Sequence, residues 1–353
     1  MFDQSEAPRQ TPQTRSAKDW ISILSRYRTP DATRSALELA ITLVPFLSLW
    51  ALAWAAMSIS PVLSVAIALV NAGFLLRLFT IQHDCGHGAF FASRATSDWI
   101  GRILGVLTLT PYAVWRRTHA AHHGASGNLD QRGMGDVHTL TVAEYRRISP
   151  LLQFLYRVYR HPLVLFGLGP AYLFYIQNRL PLGLTDQPRY WISAMGTNLA
   201  IVAMLAGIYA LGGLAPILLI FVPTTLLAAT AGVWLFYVQH QFEATHWEVE
   251  ADWDMHDAAL HGSSHYVLPP VLQWMSANIG IHHVHHLQSR IPFYRLPKVL
   301  SDHAELFEAN RMTIRESFET AGLQLWDEDG KRLLSFAQLR AIERARGPTP
   351  NPS

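Results

Sequence analysis

Four apolar stretches, at about 36–58, 61–82, 190–211 and 214–238, decide what this chain can fold into. Each is long enough to cross a hydrocarbon core, since about 20 residues of α-helix span roughly 30 Å. Inside a bilayer no water satisfies the backbone N–H and C=O groups, so such stretches must be helical. The first two are joined by Ser58-Ile59-Ser60-Pro61 and the last two by Leu211-Gly212-Gly213-Leu214. Both links are short and uncharged and contain Pro or Gly, so the stretches pair as two helical hairpins. The composition agrees, with 50% hydrophobic and 15% charged residues among 353. A formal charge of +2, with no basic run interleaved by aromatic residues, carries no footprint of a nucleic-acid partner.

Basic residues set the expected orientation, because Lys and Arg collect in cytoplasmic loops. Neither short link has one. Arg9, Arg15, Lys18, Arg26, Arg28 and Arg34 precede the first stretch, and nine arginines lie between 94 and 160. Both termini and the central segment are therefore expected on the cytoplasmic side, in a bacterial inner membrane. Arg77, near the inner end of the second stretch, is expected to snorkel to the interface. A fifth apolar stretch, 161–177, contains Gly167, Gly169 and Pro170 and is expected to be interfacial or re-entrant. If it crossed, the histidines after 238 would face away from those before 124. The stretch 99–114, broken by Gly101, Arg102 and Pro111, is expected on the membrane surface.

The lone cysteine, Cys85, excludes an intramolecular disulfide and any cysteine-rich metal cage. Histidine is the candidate ligand instead, with 17 in the chain. Three clusters stand out: His83-Asp84-Cys85-Gly86-His87, His119-Ala120-Ala121-His122-His123 and His282-His283-Val284-His285-His286. Residues three and four apart share a helix face, so each cluster can aim at least two imidazoles at one point. Neutral imidazole is a good ligand for iron, zinc, copper and nickel. The eight candidates are His83, His87, His119, His122, His123, His282, His285 and His286. Eight ligands are too many for one metal and suit two. No matched pair of Glu-x-x-His motifs is present, so the site is expected to be nearly all imidazole.

His240 follows the fourth stretch as His83 follows the second, so it is a candidate ninth ligand, the alternative being a helix-end cap. His283 lies off the three-four spacing and is expected to support the ligands rather than bind. Asp84 either accepts from a ligand imidazole or caps the helix. His246, His256, His261 and His265 share an acidic loop, where they either support the ligands or bind directly, and none is taken as a ligand. His161 and His303, standing alone, are expected to pack or face solvent.

The boxes H-D-C-G-H, H-x-x-H-H and H-x-x-H-H, flanking two membrane hairpins, resemble those of the membrane fatty acid desaturase family over roughly 36–300. The first box, with Asp84 and Cys85 inside it, resembles the acyl-lipid desaturases of the omega-6 (delta-12-like) and omega-3 type. Trp115-Arg116-Arg117-Thr118-His119 and Ile291-Pro292-Phe293-Tyr294 are also similar to that branch. The resemblance implies an all-α membrane protein, with four transmembrane helices in two hairpins and a cytoplasmic helical cap. It also implies two iron ions held by the eight box histidines and a ninth ligand near His240. It further implies O2 as co-substrate, a cis double bond placed in a long acyl lipid, and electrons from a separate ferredoxin or haem-binding cytochrome. The extra histidine of the third box, His283, departs from the pattern. Residues 1–35 then form a cytoplasmic arm, 36–302 the desaturase domain, and 303–353 a cytoplasmic tail with a Pro-rich end. The acyl chain would reach the metals through an apolar tunnel that excludes water. A related di-iron oxygenase (carotenoid hydroxylase or ketolase, or alkane hydroxylase) is the nearest alternative. A non-catalytic membrane metal-binding or transport protein is the alternative from another class.

Overall fold

The computed structural model describes residues 15–346; Arg9 and the Pro-rich C-terminus lie outside the described residues. A short amphipathic helix, α1 (Ala17–Leu24), precedes the first hairpin, α2 (Ala32–Ala56) and α3 (Pro61–His87). Next come α4 (Arg94–Leu107) and α5 (Tyr112–Ala125), then β1 (Leu140–Thr141), α6 (Val142–Arg147), α7 (Pro150–Tyr159) and α8 (Gly169–Tyr175). The second hairpin is α9 (Pro188–Gly212) and α10 (Val222–His240), the latter preceded by a π-helical turn at Ile217–Phe221. The remainder is α11 (Met255–His261), β2 (His265–Val267), α12 (Pro270–Met275), α13 (His282–Leu287), α14 (Leu296–Asp302) and α15 (Ala304–Glu308). Last come β3 (Arg311–Thr313), α16 (Ile314–Thr320), β4 (Leu325–Asp327), β5 (Arg332–Leu334) and α17 (Phe336–Arg346).

Among the described residues four helices are long and apolar enough to cross a membrane: Ala32–Ala56, Pro61–His87, Pro188–Gly212 and Ile217–His240. Two of them outrun the stretches read from hydropathy. α3 continues through the whole first histidine box and α10 through His240, because their last turns are packed in protein and need not be apolar. Gly88, in the left-handed conformation at φ 68°, ends α3. At the other end Ser60 caps the first turn, with Pro61 following it.

Helix α2 packs on α3, and α3 on α10, through small residues and side-chain hydrogen bonds to backbone, the usual means of helix association in lipid. Ser64 Oγ donates to Ala53 O at 2.8 Å, Asn71 to Phe46 O at 3.1 Å, and Thr224 Oγ1 to Ala68 O at 3.0 Å. Arg77 departs from the snorkelling expected of it. It is buried and paired with Glu38 of α2, and it also donates to Thr42 Oγ1 at 3.1 Å and to Trp274 O. Its guanidinium lies 4.1 Å from the Trp274 ring and 5.1 Å from that of Phe293. A partner on the neighbouring helix stabilises the charge where it is, so it need not reach the interface.

The 161–177 stretch is broken into a π-helical turn, Val164–Leu168, and α8, and is too short to be one of the four spans. It runs beside α10, with Phe166 against Trp234 and Tyr237 and with Tyr175 bonded to Thr225. Residues 304–346 pack back on the rest. β3 pairs in parallel with β2, and β4 joins β1 and β5 in a three-stranded sheet. These two small sheets are additions to an otherwise helical chain.

Candidate metal centre

The last turns of α3 and α10 emerge at the same end of the hairpins, and α5 and α13 lie across them. Nine imidazoles meet there in two sets. One is His83, His87, His119, His123 and His285; the other is His122, His240, His282 and His286, the ligand atoms within each set lying within 4.8 Å of one another. All eight box candidates and His240 are thus brought together. Each set draws on three elements, because neighbouring positions of one helix point about 100° apart. On α5, His119 and His123 face one set while His122 faces the other. On α13, His285 splits from His282 and His286 in the same way.

The nitrogen spacing suits a shared cation. In the five-imidazole set, Nε2 of His119 lies 3.0 Å from Nε2 of His87 and 3.1 Å from that of His123, which lies 3.2 Å from His285. In the four-imidazole set, Nε2 of His240 lies 3.1 Å from His122 and 3.0 Å from His282, with His286 3.1 Å from His282. Given metal–imidazole bonds of about 2.1 Å, such pairs subtend about 90–100° at a common ion, nearer a five- or six-coordinate site than the tetrahedron favoured by structural zinc. His83 Nε2 is buried within the first set without a hydrogen-bond partner. Lone pairs this close repel one another unless a proton or a cation lies between them. Burial, and then the neighbouring imidazoles, hold His119, His123, His282, His285 and His286 well below the ordinary histidine range. Neutral rings are the ligand form.

Carboxylates orient two of the rings from behind. His122 Nδ1–H donates to Asp136 at 2.5 Å, which leaves Nε2 as the metal-facing lone pair. Asp84 lies 3.3 Å from His83 Nδ1, and its other oxygen accepts from Phe293 N–H at 2.7 Å. Asp84 therefore ties the first box to the loop after the third. His240 Nδ1 faces Gly262 O at 3.4 Å. His283 belongs to neither set; its Nε2–H donates to Leu306 O at 2.7 Å on the far side of α13, and burial pushes its pKa down to about 3. His265 donates to Phe307 O and lies 5.7 Å from the His283 ring. His246 and His261 sit near each other, at 6.3 Å between rings, and neither they nor His256 joins a set. His303 packs against Trp20 and Tyr27.

Sequence reasoning missed Asp136, since nothing in a position 13 residues past the second box marks it. It also left three aromatic neighbours of the imidazoles without a role. Trp115 stacks on His119 at 4.7 Å and meets Phe79 edge-on at 5.7 Å, while Phe236 lies 4.9 Å from His122 and 5.2 Å from His240. Phe79 and Phe236 each precede an imidazole of the two sets by four residues, on α3 and α10. Trp115 can approach α3 because position 86 is glycine; a Cβ there would stand 2.7 Å from its ring. Beside the four-imidazole set a cavity of about 30 Å³, lined by His122, Asp136, Phe236, His240 and Gln241 among others, has room for a water.

The fatty acid desaturase family profile matches residues 60–318. A fatty acid desaturase of Bacillus subtilis is 41% identical over 90% of both chains. An sn-1 oleoyl-lipid 12-desaturase of Synechocystis is 24% identical over 62% of each chain. A Synechocystis sn-1 acyl-lipid omega-3 desaturase (ferredoxin) is 34% identical over 29% of each. With two imidazole sets at the ends of paired membrane hairpins, and a family match across most of its length, this multi-pass membrane protein belongs to the fatty acid desaturase family.

Proposed function

We propose that this desaturase holds one iron in each imidazole set and places a cis double bond in a long acyl chain carried on a lipid. The observation that supports this reading is the convergence of nine imidazoles into two adjacent sets with spacing suited to five- or six-coordinate ions. The overall change takes a saturated –CH2–CH2– unit, O2, two electrons and two protons to a cis –CH=CH– unit and two waters. When bound, the iron pair supplies the oxidant, made from O2, that can remove hydrogen from an unactivated methylene.

The chain's own residues bind, orient and exclude water. Asp136 and Asp84 hold His122 and His83 by their Nδ1 edges, so that the metal-facing nitrogens are set in advance. Trp115, Phe79 and Phe236 form apolar walls between the spans and the imidazoles. An acyl chain reaching the imidazoles would pass these rings, with water displaced. Electrons would come from a ferredoxin or a haem-binding cytochrome. The ferredoxin named for the Synechocystis omega-3 relative supports the first. The arginines between 94 and 160 support a cytoplasmic position for the metal end. Delta-12-like specificity follows the first-box pattern and the oleoyl-lipid 12-desaturase relatives at 24% and 25% identity.

The test is the fatty acid profile of a host lacking the activity, with and without the expressed chain. New double bonds are expected, and their position tests the delta-12 assignment. Oxygenated products with no new unsaturation would overturn the desaturation reading.

A further inference from the structure

The helix α7 is inside out for a protein bathed in water. Leu151, Leu152, Phe154, Leu155 and Val158 face outward and are 41% to 66% exposed. Its inward face carries the polar groups. Gln153 donates to Tyr145 O at 3.1 Å and Tyr156 OH to Gln324 O at 2.5 Å. Arg160, just past the helix, is buried among Thr139, Tyr237, Gln241 and Leu323 O. An aqueous helix buries its apolar stripe and exposes its polar one. The reverse arrangement calls for an apolar occupant outside.

The neighbouring chain identifies that occupant. Directly after α7, Leu163, Leu168, Tyr172 and Ile176 are also exposed. They belong to the segment that runs along α10 from Tyr237 to Thr225, a descent of about 18 Å at 1.5 Å per residue, into the membrane-spanning part of the fourth span. The apolar strip of α7 is thus continuous with one already beside a span, and Arg147, exposed at its N-terminal side, suits lipid phosphates. Through Arg160 the helix is bolted to Tyr237, three residues before His240.

We infer that α7 lies embedded in the lipid leaflet at the metal end of the spans. The imidazoles then sit about one helical turn beyond the acyl region.

The test uses the full chain in lipid nanodiscs. Cys85 is buried, so single cysteines introduced as Leu151→Cys, Phe154→Cys, Leu155→Cys and Val158→Cys can each carry a nitroxide label alone, with Arg340→Cys on exposed α17 as the aqueous reference. Collision broadening by O2, which partitions into lipid, is expected to exceed that by a water-soluble nickel chelate at the four α7 sites and to fall below it at 340. Nickel-dominated collisions on α7 would overturn the inference. So would low collision rates with both agents, which would mean that a protein partner or a second copy covers the face.

Discussion

Asp136→Ala removes the acceptor from His122 Nδ1 and leaves the other contacts of the four-imidazole set in place. Losing such an outer partner lowers metal affinity about 10- to 100-fold, or about 1.4–2.7 kcal/mol. The structure favours the lower end. His122 is buried, but the Asp136 side chain is 22% exposed and borders the cavity of about 30 Å³, so a water can take over part of the acceptor role. About a tenfold loss is therefore expected in the four-imidazole set. Little change is expected in the five-imidazole set, none of whose members touches Asp136. Iron retained per chain, measured after equilibration with graded chelator, should change from one release step to two, the earlier one accounting for half the metal. Asp136→Asn, which keeps an acceptor oxygen, should fall between. An unchanged release profile for Asp136→Ala, or equal loss from both sets, would refute the assignment of Asp136 as the group that orients His122.

Other substitutions separate packing from metal binding. Glu38→Gln strips the buried Arg77 of its counter-charge and should cost about 3–5 kcal/mol, seen as a lower unfolding midpoint in detergent. Replacing both partners, by Glu38→Leu with Arg77→Met, should recover most of that loss, and a double variant no better than the single would contradict the pair's isolation from water. Gly101→Ala pushes a Cβ into the Tyr112 ring, whose hydroxyl donates to Asp98 at 2.9 Å, and should destabilise by about 1–3 kcal/mol in the same assay. His283→Ala leaves Leu306 O without its donor and should cost about 1–3 kcal/mol while iron per chain stays constant. Iron loss in that variant would move His283 into the ligand set.

Much of this site could be read from the sequence because its parts are local. A helix face repeats every three or four residues, so the spacing within 83–87, 119–123 and 282–286 already implied convergence, and hydropathy gave the hairpins. What could not be read depends on contacts between distant segments. Helix geometry turns His122 away from His119 and His123, but that His240 completes its set needs the position of α10. Arg77 looked like a snorkelling residue because its partner, Glu38, lies in another helix, 39 positions earlier. Asp136 reaches His122 across a loop without regular structure, where no periodicity guides prediction. The strands of residues 311–334 are three residues each, too short to show alternation. Helix α7 contains no histidine, and its burial pattern, not its composition, shows that its apolar face is out.

The central claim is that the nine imidazoles form two separate iron sites, and His240 is its sharpest point because no histidine box contains it. Iron per chain, determined together with Mössbauer spectra of the purified membrane-embedded protein, tests it most directly. Full-length protein should hold one iron in each set, and His240→Ala should lose iron selectively from the four-imidazole set while the five-imidazole site keeps its spectrum. Unaltered iron content and spectra in His240→Ala, or zinc in place of iron in the unsubstituted protein, would contradict the account.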